Sequence, residues 1–248
     1  MTFAENVIVF FDMTSNSSLA ITWLGHSTFL LRSPGGKNLL FDPWLFENPS
    51  CPAEWKRTVD PDLILVTHAH EDHFSDVELI ARDTGAPVVA IVEICHFLET
   101  RGVRGVIPMN LGGMVTIFGV DIAMVRADHS SGRKGDRGME YMGEAVGYIV
   151  RFEDGLTIYF AGDTDVYGDM RLIREQHQPD IAFLPIGDRF TMGPKGAALA
   201  AKLLGARQVV PMHYGTFPEL TGTILRFREL IKPSGIDVLE LQPGETSI

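Results

Sequence analysis

Four residues that bind cations well, His68, His70, Asp72 and His73, fall within six positions of the stretch TVDPDLILVTHAHEDHF, directly behind an apolar run. Imidazoles and a carboxylate with no cysteine among them suit zinc, manganese or iron. Along an extended chain, side chains two apart share a face, so His68 and His70 can chelate one ion together. Asp72 and His73 follow as the chain turns, which sends them to a second position a few ångströms away. Two pairs suit two ions better than a single ring of four ligands does. The competing reading, a solvated loop rich in histidine, sits poorly with four such groups behind a buried strand.

The elements that must hold these groups are short. From Leu19, the segments LAITWLG, STFLLRSPGGKNLLFDPW and DLILVT read as strands separated by turns, with Pro34, Gly35 and Gly36 as a hairpin turn. After His73, SDVELIARDTG predicts a helix with Ser75 as N-cap and Glu78 as its capping-box partner, stopped by Gly85 and Pro87. PVVAIV returns to strand. The middle, GVIPMN to GYIVRFEDGLTIYFAG, reads as strands and hairpins, with Asp154 and Gly155 as a turn. IAFLPIG, KGAALAAKLLGA, QVVPMHYG, TGTILRFRELIKPSG and DVLEL then alternate strand with helix. Both halves run strands first and strand–helix units after, which predicts an α+β fold of two packed sheets with helices outside. No linker-like tract divides residues 1–248, so one domain is expected.

The chain is 45% hydrophobic and 21% charged, as folded soluble proteins are, and carries a formal net charge of −11. An acidic surface repels phosphate backbones and anionic lipid, so nucleic acid and membranes are not expected partners and a small molecule is. The opening MTFAENVIVFFDMTS lacks the basic start and cleavage site of a signal peptide, and no apolar stretch nears the roughly 18 residues of a spanning helix. A cytoplasmic location is therefore expected; a homo-oligomer is left open. Cys51 and Cys95 are far apart and read as reduced thiols, and His96 and His177 as ordinary histidines.

THAHEDH is similar to the HxHxDH signature of the metallo-β-lactamase superfamily, and the resemblance extends over nearly the full chain. It implies the αββα fold of that superfamily, a four-layer sandwich of two mixed sheets, and three further ligands downstream: His129 in RADHSSG, Asp163 in FAGDTD and His213 in VVPMHYGTF. Carried over by position, it gives His68, His70 and His129 to a first metal and Asp72, His73 and His213 to a second, with Asp163 bridging. Two divalent ions are implied, zinc first, with manganese or iron as alternatives. WLGHSTFLL, FDPWL, LPIGDRFTMGP and PMHYGTFPEL resemble the small metal-dependent hydrolase branch that includes ascorbate-6-phosphate lactonase. Asp188 departs from that branch, where a second Gly is expected.

The activity this implies is cleavage of a small ester or lactone by a metal-bridging hydroxide, with Asp72 or Asp163 steering the proton. A phosphodiesterase on the same dinuclear site is the alternative, and an iron-dependent oxidoreductase a further one. His26 in GHST has two readings, a side chain beside the metals or on a substrate oxygen, and a buried histidine bonded to backbone. Asp42 reads as a turn residue or as a hydrogen-bond partner of a metal histidine, and Thr164 as an orienter of Asp163. Tyr214, Phe217 and Met192 line either the pocket or the core. HSSGRKGDRGMEYMGEA, residues 129–145, reads as a mobile loop over the site, in which Arg133, Lys134 or Arg137 meets an anionic substrate or simply solvent.

Overall fold

A computed structural model describes residues 18–136 and 138–248; Arg137 and the opening stretch on which the signal-peptide expectation rests lie outside the described residues. In chain order the first half supplies β1 (Ala20–Trp23), β2 (Phe29–Arg32), β3 (Asn38–Phe41), β4 (Leu63–Leu65), α1 (Glu71–Phe74), α2 (Val77–Thr84), β5 (Val88–Ile91), α3 (Val92–Thr100) and β6 (Val106–Met109). The second supplies β7 (Met114–Ile117), β8 (Val120–Arg126), β9 (Gly132–Gly135), β10 (Gly138–Tyr141), β11 (Val146–Arg151), β12 (Thr157–Phe160), α4 (Met170–His177), β13 (Ile181–Pro185), α5 (Pro194–Leu204), β14 (Gln208–Met212), α6 (Ile224–Ile231), β15 (Asp237–Val238) and β16 (Thr246–Ser247).

Two seven-stranded mixed sheets result, ordered β16-β1-β2-β3-β4-β5-β6 and β15-β14-β13-β12-β11-β8-β7. In each, an antiparallel part precedes a parallel part: β3 to β6 run parallel in the first, β12 to β15 in the second. Parallel strands covered on both faces need unbroken apolar sequence, and LIL of β4, VVAI of β5 and TIYF of β12 are buried at every position. Helix α3 packs on β5 and β6, and α5 on β13 with α4 and α6 against it, so helices cover the outer faces. The inner faces meet through aromatic rings: Phe41 of the first sheet stacks on Phe160 of the second at 4.5 Å, and Phe29 meets Phe183 edge-on at 5.0 Å. The α+β sandwich is thus the observed architecture. Among the described residues no helix is long and apolar enough to cross a membrane.

Three local expectations change. Ser75 does not cap a helix N-terminus; it closes the single turn α1, with its hydroxyl donating to the Glu71 carbonyl, and α2 starts two residues later. The reason is Asp76, whose carboxylate is taken by the Leu45 and Phe46 amides and fixes the break between the two helices. Gly85 ends α2 in the left-handed region, as its position suggests. Where the sequence reads as loop, residues 132–135 and 138–141 pair as the hairpin β9–β10, Gly135 with Gly138 and Gly132 with Tyr141. Finally, α3 and α4 carry no clear signal. Helix α3 begins at the residue after β5, with no turn chemistry between them, and α4 buries only Met170 and Ile173 among polar residues.

The Tyr148 hydroxyl, buried on β11, crosses between the sheets to donate to the carbonyls of Val66 at 2.8 Å and Val89 at 3.2 Å. Val89 O also accepts from the Val66 amide, so removing the hydroxyl strips mainly Val66 O of its donor. Tyr148→Phe is expected to lower the unfolding free energy by about 1–2 kcal/mol with an unchanged denaturant slope, measured by urea titration.

Candidate metal centre

The site lies where the chain leaves β4, β8, β12 and β14, at one end of the sandwich. Strand β4 stops at Leu65, yet the backbone is still extended at His70 (φ −65°, ψ 148°), so His68 and His70 stay on one side. The turn of α1 then swings Asp72 and His73 to the other side of the same space. His129 lies three residues after the end of β8, and the amide of its neighbour Asp128 donates to Thr164 Oγ1 at 2.9 Å. Thr164 therefore braces the His129 segment, not Asp163 as its position suggests. Asp163 follows β12 through Gly162, whose φ of +60° and approach to Thr67 leave no room for a side chain: a Cβ there would lie 2.7 Å from the Thr67 Cβ. His213 directly follows β14, and its amide donates to the His26 carbonyl at 3.1 Å.

All seven residues singled out by type and resemblance come together. The imidazole nitrogens of His68, His70 and His129 lie within 4.8 Å of one another, and so do the donor atoms of His26, Asp72, His73 and His213. Asp163 stands between the two groups. Its Oδ2 is 3.6 Å from His129 Nε2, 3.9 Å from His68 Nε2 and 3.1 Å from His213 Nε2, while Oδ1 is 3.3 Å from His73 Nε2.

Hydrogen bonds around this cluster choose which ring nitrogens face inward. Asp42, fully buried, accepts from the Thr67 amide and hydroxyl at 2.7 and 2.6 Å and from His73 Nδ1 at 2.8 Å. With its proton committed to Asp42, the Thr67 hydroxyl is an acceptor for His68 Nδ1 at 3.0 Å. His68 and His73 thus both hold a proton on Nδ1 and offer an Nε2 lone pair, the arrangement by which carboxylates and hydroxyls orient metal histidines. Asp42 takes the hydrogen-bonding role rather than that of a simple turn residue.

His26 joins Asp72 to the opposite wall, with Nε2 at 3.0 Å from Asp72 Oδ2 and Nδ1 at 2.9 Å from Thr216 Oγ1. Its side chain reaches the cluster, so the reading of a histidine bonded only to backbone does not hold. Thr67 and Thr216 are contributors that residue type alone does not reveal; the only signal is their position, beside His68 and three residues after His213. Phe217 meets the edge of His26 at 5.6 Å, whereas Tyr214 stacks on Trp23 at 5.3 Å and Met192 is buried in the core. His96 and His177 lie outside the cluster, His96 near Glu99 and His177 at the end of α4. Asp188 has a φ of +68°, which explains the glycine expected there; its carboxylate instead accepts from the Arg189 amide and Thr221. Arg133 is held by Glu140 at 3.0 Å and lies over the Phe97 ring, and Lys134 lines a cavity with Glu47, Glu71 and Glu78. Neither is brought to the histidines.

The donors present fit divalent cations. His73 Nε2, His213 Nε2 and Asp163 Oδ1 are sealed from solvent and make no hydrogen bond, although an Asp163 oxygen stands within 3.3 Å of each of the two imidazole nitrogens. Buried polar atoms left this way are rare unless something else satisfies them. Burial would raise the Asp163 pKa, but His213 and His73 outweigh it and hold the carboxyl well below its usual range. For His73, burial works downward and is outweighed by Asp163, Asp72 and Asp42, so this imidazole keeps a strong affinity for positive charge. Burial pushes His68, His70 and His129 down and takes His26 to about 4.

Comparison with known proteins agrees in family and fold. A family model described as beta-lactamase superfamily domain matches residues 20–213. A UPF0173 metal-dependent hydrolase of Rubrobacter xylanophilus is 49% identical over 91% of this chain and 94% of its own, and one of Solibacter usitatus is 46% identical over 92% and 98%. The solved structure of a metallo hydrolase from the archaeon Ignicoccus hospitalis superposes with a TM-score of 0.82 at 36% identity, over 92% of this chain and 97% of that one.

The four depressed histidines give a pH signature in protein stripped of metal. An unfolded histidine takes up its proton near 6.5, whereas His26 resists until about 4, so the unfolded chain binds more protons in that window. The stability tied to His26 therefore falls as pH drops from 6.5 toward 4, against a smaller opposing change from Asp42 and Asp76, which burial raises above the ordinary carboxylate value. His73, raised instead, contributes fully throughout that range, and the depressed Asp163 and Asp72 are affected only below about 3.8. Thermal melts of chelator-treated protein are expected to show the fall, with a shallower slope for His26→Gln.

Proposed function

The chain belongs to the β-lactamase superfamily and is a metal-dependent hydrolase, and from that premise we propose that it acts as one domain to open a small carboxylic ester or lactone at two divalent ions. His68, His70 and His129 would hold the first ion and Asp72, His73 and His213 the second, with Asp163, between the two groups, available to both. Zinc is the first choice for this nitrogen and oxygen set, with manganese next. A bound pair of such ions lowers the pKa of water toward roughly 7 and polarises the substrate oxygen that becomes anionic.

The protein's own groups do the rest. Two divalent ions bring four positive charges; Asp72 and Asp163 remove two, so the centre stays electrophilic. Asp163, 3% exposed, is sealed and serves as a fixed bridge, while the Asp72 side chain, 29% exposed, is the carboxylate that exchanges protons with solvent. His26 donates from Nε2 to Asp72 Oδ2 and accepts on Nδ1 from Thr216, which fixes the Asp72 carboxylate as the attacking water loses its proton. Carboxylic ester chemistry is favoured over phosphodiester chemistry because Arg126 and Arg133, the cations on either side of His129 in sequence, are engaged elsewhere, Arg126 with Asp128 and Arg133 with Glu140 and the Phe97 ring. The observation that carries this reading is the position of Asp163, within 3.9 Å of four imidazoles drawn from both groups.

Elemental analysis of reconstituted protein is expected to find two equivalents of zinc or manganese per chain, and a screen of lactones, aryl esters and bis-aryl phosphates to give its highest kcat/KM on the first two. Asp163→Ala is expected to drop to about one metal and lose nearly all turnover while staying folded; undiminished hydrolysis removes the bridging role. A single iron with oxygen-dependent turnover points instead to redox chemistry. Asp42→Asn is expected to weaken metal affinity by about 10- to 100-fold, read by chelator competition.

A further inference from the structure

His129 runs directly into the β9–β10 hairpin, and the hairpin forms one wall of a cavity of about 370 Å³ whose other wall includes His70 and His129. That volume suits a small ligand or part of one. Two large side chains of β10, Met139 and Tyr141, are 71% and 68% exposed and, two residues apart, share one face of the strand. The Met139 Cε lies 3.2 Å from where a Cβ on Gly132 would be, so the thioether folds across the glycine toward the start of the hairpin. The Tyr141 hydroxyl donates to Glu144 at 2.8 Å, which holds the ring in place. Exposed apolar side chains grouped beside a site of chemistry mark a binding surface.

The charges of the same cavity are negative. Glu140 and Glu144 both line it. Arg133 pairs with Glu140, but no ion pair engages Glu144 among the described residues. The basic residues of the hairpin that the sequence offers for an anion, Arg133 and Lys134, line a different cavity with Glu47, Glu71 and Glu78.

Resting on the hydrolase reading of the metal centre, we propose that this cavity takes the uncharged aryl or branched-alkyl part of the ester or lactone and rejects substrates that carry a carboxylate there. A flat ring stacks on Tyr141 and meets the polarisable sulfur of Met139, two contacts that aromatic groups favour. An anionic substituent instead faces Glu144, which no cation pairs with among the described residues, and such like-charge placement is how binding sites exclude close analogues.

Two matched pairs of compounds test this on the full chain supplied with zinc. The first pair is not hydrolysed readily: acetanilide and 4-acetamidobenzoate, titrated against protein with ¹³C-methyl methionine and the Met139 resonance assigned by Met139→Leu. Acetanilide is expected to shift that resonance and to bind at least about tenfold more tightly than its carboxylate analogue. Tyr141→Ala is expected to weaken acetanilide, and Glu144→Gln to narrow the gap between the two. Equal binding of both, or saturation by acetanilide with Met139 unmoved, overturns the proposal. The second pair, phenyl acetate and 4-carboxyphenyl acetate, reads kcat/KM relative to spontaneous hydrolysis. Equal values overturn the proposal and leave the hydrolase reading standing. Neither ester turning over, with the acetanilide preference intact, defeats the ester assignment and leaves the cavity's selectivity standing.

Discussion

A carboxylate sealed away from water has to be met by donors or by positive charge, and the site answers this for Asp163 with imidazoles alone. Among the described residues no backbone amide or hydroxyl donates to it, and four histidine Nε2 atoms surround it within 3.9 Å. Of the histidines in the cluster, His68, His70 and His129 are depressed by burial and resist becoming cations, whereas nearby carboxylates raise His73. Three carboxylates, Asp163, Asp72 and Asp42, meet among imidazoles of which His68, His70 and His129 disfavour protons, so the cluster suits cations of another kind.

The fold serves that electrostatic arrangement through strand ends. Parallel strands bring successive chain exits to one edge of each sheet, and the facing sheets bring the two sets of exits together. The contacts that enforce this are specific. Gly162 lets the Asp163 turn nest on Thr67, Thr67 and Asp42 set the rings of His68 and His73, and the His26 carbonyl takes the His213 amide. His26 and His213 both sit at positive φ, 56° and 54°, so the two loops that close the second group lock each other in backbone conformations that neither residue favours alone.

How much of this was legible in the sequence depended on range. HAHEDH announces itself because its donors are neighbours, and the resemblance then pointed to His129, Asp163 and His213, all of which lie in the cluster. The buried parallel strands were readable from their apolar runs for the same local reason. Helix α3 was hidden because β5 passes into it without a break, and α4 because MRLIREQH buries so few side chains. The hairpin at 132–141 was hidden by its glycines, which read as loop until strand pairing is seen. Thr216 was out of reach, since its partner His26 lies 190 residues away and nothing in the intervening sequence links them. The pairing of the two-residue β16 with β1 was invisible for the same reason.

The surroundings of the centre divide the labour between reactivity and choice. Behind the histidines, hydroxyls and the Asp42 carboxylate fix ring orientation in a dry interior. In front, the hairpin and the segment after it present Met139, Tyr141 and Glu144 to solvent, where side chains can change without disturbing the donors. X-ray absorption spectroscopy at the metal edge of the loaded protein tests the central claim most directly. The account predicts a first shell of nitrogen and oxygen only, several imidazoles in the outer shells and a metal–metal contribution. A shell containing sulfur, or a spectrum with no second metal at full loading, would contradict it.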